Sequence, residues 1–150
     1  MVALLQMNER YLRWYSPSLS REFEMLAFGD GGGRPLIIFP TSFGRYYQNK
    51  DFGLVGSASE FVDAGRVTVY CPDAIDLESF YNNSIHPADR MRTHNAYERV
   101  ITHDVFDLAR RECSVARVAV CGASGRLSRC QYRISPSRCG QSSDLAERSV

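Results

Sequence analysis

The sequence carries almost no net charge: 18 Lys and Arg against 17 Asp and Glu leave +1 over 150 residues. A chain so balanced has no field to draw in nucleic acid or an anionic membrane, and neither is expected as a partner. No apolar run approaches the roughly 18 to 20 residues of a membrane span. The apolar stretch from Met1 to Gln6 meets Asn8, Glu9 and Arg10 at once and has no basic leader, so no secretion signal is read there. The five cysteines, Cys71, Cys113, Cys121, Cys130 and Cys139, form no CxxC or other metal-ligand spacing. Their odd number, and the place of Cys71 and Cys121 inside expected strands, favour reduced, buried thiols over a disulfide framework. A soluble, cytoplasmic protein without metal or cofactor is the expectation these absences leave.

What is present is the composition of one globular domain, 44% hydrophobic and 23% charged, with apolar side chains enough for a core. SREFEMLAF, Ser20 to Phe28, alternates polar and apolar residues and predicts a half-buried strand at a sheet edge. Gly29 to Gly33 ends it; no Lys-Ser/Thr pair or helix start follows to make a phosphate loop, so a flexible hairpin turn is expected. PLIIFP, Pro35 to Pro40, is a continuous apolar run bounded by prolines, the pattern of a central strand buried on both faces. Ser57 to Ala64 opens on a capping serine and carries Phe61 and Val62 on one side, which predicts a short helix. RVTVYCPD, Arg66 to Asp73, is a second buried strand. Pro87 to Glu112 has the apolar spacing of a long amphipathic helix through Tyr97, Val100, Ile101, Val105, Phe106 and Leu108. VARVAVCG, ending at Gly122, is a third buried strand. This order is the α/β pattern with a mostly parallel sheet, led in by an antiparallel strand. Ligands in such sheets bind beyond the carboxyl ends of the strands, so the loops after Pro40, Asp73 and Gly122 matter most.

Gly122-Ala123-Ser124, directly after a buried strand, is the first half of a G-x-S-x-G nucleophile elbow, in which glycines flank the serine because the turn is too tight for side chains. IIFPTSFGRYYQ would bring the backbone N–H groups of Ser42 and Phe43 near that turn, where an oxyanion forms. With VYCPDAID and NAYERVITHDVFDLAR between them, the chain from about Ser20 to Ser124 resembles the esterase family of α/β-hydrolases that includes S-formylglutathione hydrolases and mycolyltransferases. The resemblance implies the N-terminal part of a three-layer sandwich. It also implies acyl transfer on a small-molecule ester or thioester, with Ser124 as nucleophile and the N–H groups of Ser42 and Phe43 as oxyanion donors. The other reading of Ser124 is a plain helix cap.

The chain departs from that family after the serine. Gly125 comes one position early and Arg126 stands where the second glycine belongs. The acid and the histidine should follow in chain order. Only Asp144 and Glu147 follow, and His86, His94 and His103 all precede Ser124, in loop or helix-surface settings. Gly125 to Val150 is rich in Arg and Ser, without helical or alternating apolar pattern, as in a disordered or basic partner-binding tail. A shifted reading frame is the sharper reading. If Gly125 to Tyr132 is encoded GGG CGG CTA TCA CGC TGC CAA TAC, reading one nucleotide later gives Gly-Gly-Tyr-His-Ala-Ala-Asn, which restores the elbow and starts a helix. The expected organisation is therefore a partial hydrolase domain over 1–124 and an aberrant tail over 125–150. It would be an esterase by descent, inactive as written and prone to aggregation through its uncovered last strand.

Parts of the sequence also suit two other functions. Gly122-Ala123-Ser124-Gly125 could cradle a nucleotide's pyrophosphate, although Ser128 replaces the third glycine and little chain follows. An interaction protein could use the Arg-rich tail. Asp73 and Asp76 either line the site or cap loops; Tyr46 and Tyr47 either contact substrate or cover the sheet, and Phe80 and Tyr81 are open in the same way.

Overall fold

The computed structural model describes residues 7–41, 43–115 and 117–122. They form a five-stranded sheet in the order β1-β2-β4-β3-β5, from β1 (Glu9–Ser16), β2 (Arg21–Phe28), β3 (Arg34–Phe39), β4 (Val67–Pro72) and β5 (Ala119–Gly122). β3 pairs in parallel with β4 and β5, while β2 runs antiparallel to both β1 and β4. Only β2 therefore points against the other four.

Helices cover both faces, which makes three layers. Phe23, Met25 and Ala27 of β2 join Ile37 and Tyr70 against Val100, Ile101, Val105, Phe106 and Ala109 of the long helix. The alternate residues Leu26 and Phe28, with Ile38, Val69 and Cys71, pack against Val55 and Val62 on the opposite face. There lie the short helices α1 (Gln48–Asp51) and α2 (Ser59–Asp63). The long helix follows the expected span: α3 (Pro87–Arg99), a π-helical turn (Val100–Val105) and α4 (Phe106–Cys113). It starts at Pro87, whose missing N–H suits the first helical position, and the His86 ring accepts the Ala88 N–H at 3.2 Å. Trp14 donates its indole N–H to Asp104 within the π-helical turn at 2.9 Å, tying that turn to β1.

Four expectations change. The Ser20 to Phe28 strand is interior, because β1 pairs along its outer side from Glu9↔Phe28 to Ser16↔Arg21. Gly29 to Gly33 is no hairpin, since β4 inserts between β2 and β3. Its sharp path needs glycine: Gly33 has φ +64°, and a Cβ there would stand 2.3 Å from the Arg66 carbonyl oxygen. Ser57 caps no helix and donates its hydroxyl to the Leu54 carbonyl instead, at 2.6 Å. β5 keeps Val118 buried just before it, but Ala119 and Cys121 are exposed, and among the described residues it pairs with β3 alone. Cys71 is a buried free thiol as expected and Cys113 is another; Cys121, expected to be buried, is free but exposed. No described helix is long and apolar enough to cross a membrane.

Candidate active site

The carboxyl ends of β3, β4 and β5 lie along one edge of the sheet, because the three strands are parallel and in register. Phe39, the last residue of β3, stands beside Gly122, the last of β5. Adjacent strands are roughly 4.8 Å apart, so the loop that carries Phe43 and the chain that continues past Gly122 leave the sheet from neighbouring positions. Ser42 and Ser124 themselves lie outside the described residues, as does the segment 125–150.

The first of these loops has a defined shape. The Gly44 N–H donates to the Thr41 carbonyl at 2.8 Å, closing a four-residue turn. Phe43, its third residue, has φ +63°, a position where such turns favour glycine. Gly44 is buried, and a Cβ there would lie 2.4 Å from the Gln48 side-chain oxygen and 2.7 Å from the Thr41 carbonyl. The N–H of Phe43 meets no acceptor among the described residues.

A buried carboxylate holds the next two residues. One oxygen of Asp73 accepts from Arg45 Nε at 3.0 Å and from the Tyr46 N–H at 3.2 Å. The Arg45 guanidinium reaches on to Glu24 at 3.0 Å, and the Tyr97 hydroxyl donates to the Asp73 carbonyl at 2.7 Å. Asp73 is only 5% exposed. Burial raises its pKa above the ordinary carboxylate value, while Arg45 and the Tyr46 N–H pull in the other direction. On the loop's far side the Asn49 amide donates to the Ile38 carbonyl at 3.1 Å, anchoring α1 to β3. A cleft of about 180 Å³ opens at this edge, lined among others by Phe43, Gly44, Arg45, Asp73, Asp76 and Leu77.

Asp73 thus does both things the sequence allowed: it lines the cleft and it binds loop N–H groups. Asp76 lines the cleft as well. Tyr46 packs against the sheet core and meets Tyr47 edge-on at 5.2 Å, so cover is its observed role. Tyr81 stacks on Phe43 at 4.3 Å, and Phe80 on His94 at 4.5 Å. With His86 at its cap, His94 against Phe80 and His103 exposed on the π-helical turn, the histidines keep the loop and helix-surface settings read from the sequence. Arg45 was missed there. Its signal lay in topology, since parallel neighbours β3 and β4 must bring the residues after Phe39 and after Pro72 together.

No family model and no curated protein matches this sequence. Solved structures do, and the class they define is the α/β-hydrolase fold. The chain is similar to an S-formylglutathione hydrolase of Staphylococcus aureus, at 13% identity and TM-score 0.59, over 78% of this chain and 48% of that one. It is similar to a CE1 ferulic acid esterase of Anaeromyces mucronatus, at 10% identity and TM-score 0.55, over 81% and 50% of the two chains. An S-formylglutathione hydrolase of Agrobacterium tumefaciens is 14% identical, with TM-score 0.55, over 79% and 52%. The chain therefore spans about half the length of these enzymes, and what it shares with them is the fold.

Proposed function

We propose that this chain is part of a serine esterase acting on small-molecule carboxylic esters or thioesters. The observation that carries the reading is the pairing of Phe39 with Gly122, which starts the Phe43 loop and the segment containing Ser124 from neighbouring positions on the carboxyl edge. In this reading Ser124 Oγ attacks the substrate carbonyl, and the N–H groups of Ser42 and Phe43 receive the oxygen as it becomes an oxyanion. The alcohol or thiol departs with a proton, leaving an acyl-enzyme that water cleaves.

That sequence of steps needs a base for the serine proton. His86 and His94 are engaged elsewhere, His103 is exposed on the π-helical turn, and only Asp144 and Glu147 follow Ser124 as carboxylates. We therefore read the chain as written as catalytically silent, its segment 125–150 as the product of a shifted frame, and its compartment as the reducing cytoplasm that free Cys71 and Cys113 suit.

The test has two steps. The source DNA is resequenced from before the Ser124 codon, and both the chain as written and a version with the frame restored are treated with a fluorophosphonate. The restored chain is expected to take up the probe on Ser124, seen by peptide mass spectrometry and abolished in Ser124→Ala, and to hydrolyse a nitrophenyl ester; the chain as written is expected to do neither. A restored chain that stays unlabelled ends the esterase reading. DNA with no frame continuing as Gly-Gly-Tyr makes the tail native and leaves a binding role in its place.

A further inference from the structure

Phe43 occupies a backbone conformation, φ +63°, that glycine takes freely and a bulky side chain takes only under strain. Glycine would serve the turn better, so the ring must be kept for something other than the turn. It is not kept for the core, because Phe43 is 54% exposed. The ring lies against Tyr81, with centroids 4.3 Å apart and planes inclined by 32°, and Tyr81 is itself 46% exposed. Phe43 also lines the cleft at the carboxyl edge, beside Leu77, whose side chain is more exposed still. The strained backbone thus displays a half-exposed aromatic pair, of which Phe43 lines the cleft.

Ring and N–H belong to one residue. A carbonyl oxygen received by the Phe43 N–H leaves the rest of that substrate within a side chain's reach of the ring. A flat, rigid aromatic surface gains more from another flat group, through offset or edge-on stacking, than from an alkyl group of equal size. We propose that Phe43, backed by Tyr81, is a specificity-determining residue whose ring packs against a planar aromatic group of the ester. The proposal rests on the esterase reading for the placement of the carbonyl. The aromatic group belongs to either the acyl or the alcohol side, which present the same chemistry to the ring.

Unreactive amides stand in for the ester. 2-Phenylacetamide carries its ring on the acyl side and N-phenylacetamide on the leaving side; 2-cyclohexylacetamide and N-cyclohexylacetamide are their non-planar controls. Binding to the full chain is titrated by saturation-transfer NMR. At least one phenyl amide is expected to bind roughly fivefold tighter than its cyclohexyl partner, and which one does identifies the side. Phe43→Gly and Phe43→Leu should both lose this preference, the second while keeping apolar bulk. Phe43→Gly should melt at or above the wild-type temperature, because the turn is relieved. A preference that survives in both variants, one that is absent from the wild type, or a Phe43→Gly chain that melts well below it would overturn the proposal; the last would make the ring a structural prop. The amides need no nucleophile, so a Ser124 that fails to take up fluorophosphonate in the restored chain sinks the esterase reading while leaving the amide result to stand or fall alone.

Discussion

Asp73 joins the two loops at the carboxyl edge by accepting from Arg45 Nε at 3.0 Å and from the Tyr46 backbone at 3.2 Å through the same oxygen. Removing that oxygen leaves the Tyr46 N–H and the Arg45 charge without it, and Arg45 is half exposed, so water softens its part of the loss. Asp73→Ala is expected to lower stability by about 2 kcal/mol and Asp73→Asn, which keeps an acceptor, by about half that. Urea denaturation would measure both. The pH dependence has a definite sign. Burial raises the Asp73 pKa in the folded chain, so its contribution is full below the unfolded value and fades as pH rises through the folded one. Wild type should therefore gain on Asp73→Asn between about pH 7 and about pH 3.5; a widening gap in the opposite direction would refute this.

Gly44 gives a steric test of the same loop. Any Cβ at this position meets Gln48 Oε1 at 2.4 Å, the Thr41 carbonyl at 2.7 Å and Pro40 Cβ at 2.9 Å, and the Thr41 carbonyl belongs to the turn itself. Gln48 can swing away, whereas the Thr41 carbonyl cannot without opening the turn bond it accepts from Gly44. Gly44→Ala should lower stability by about 1 to 3 kcal/mol. In the frame-restored chain it should also slow fluorophosphonate uptake, since the Phe43 N–H would shift. Unchanged melting would show that the turn tolerates a side chain.

How far the fold could be read from residues depended on how each strand mixes its faces. PLIIFP and RVTVYCPD announced themselves because strands flanked by neighbours and covered on both faces are apolar throughout. β1 hid because Tyr11 and Tyr15 occupy its solvent face, 51% and 58% exposed, so its period of two is masked by residues that count as apolar. β2 carried both signals. Glu22 and Glu24 alternate in its first half, but Met25 to Phe28 are all buried, and these are the residues that pair with β4 while β1 pairs on the other side. That continuous half marked an interior strand. The Phe43 loop was legible from its place after a central strand, whereas the Arg45 to Asp73 link was not, because it joins residues 28 apart whose meeting depends on β3 and β4 being neighbours.

A second carboxylate should titrate in the opposite direction. Glu112 takes both terminal nitrogens of Arg10 at 2.8 Å and the Tyr70 hydroxyl at 2.6 Å, which fastens the long helix to β1 and β4. The hydrogen bond from Arg10 holds its pKa below the ordinary value, against partial burial. Its stabilisation is present above the unfolded value and is lost as pH falls through the folded one. Glu112→Gln should cost about 2 kcal/mol near neutral pH, discounted for partial exposure, and less in acid. Urea midpoints for the two chains that stay equally far apart from neutral pH into acid would contradict this.

The cysteines offer a check on the sheet. Cys71 lies in β4 with no exposed surface, and burial pushes its thiol pKa up to about 12, so almost none of it is thiolate at neutral pH. Cys113 is buried beside the Tyr70 hydroxyl at 3.7 Å. Cys121 alone of the three is exposed, on the strand that β3 pairs from one side. Brief treatment of the native chain with iodoacetamide, followed by peptide mass spectrometry, should therefore modify Cys121 at least tenfold faster than Cys71 or Cys113, because reaction at a buried thiol waits for opening of the sheet. In denaturant the three rates should converge. A native chain in which Cys71 reacts as fast as Cys121 would mean that β4 is not the covered interior strand on which the Asp73 loop depends.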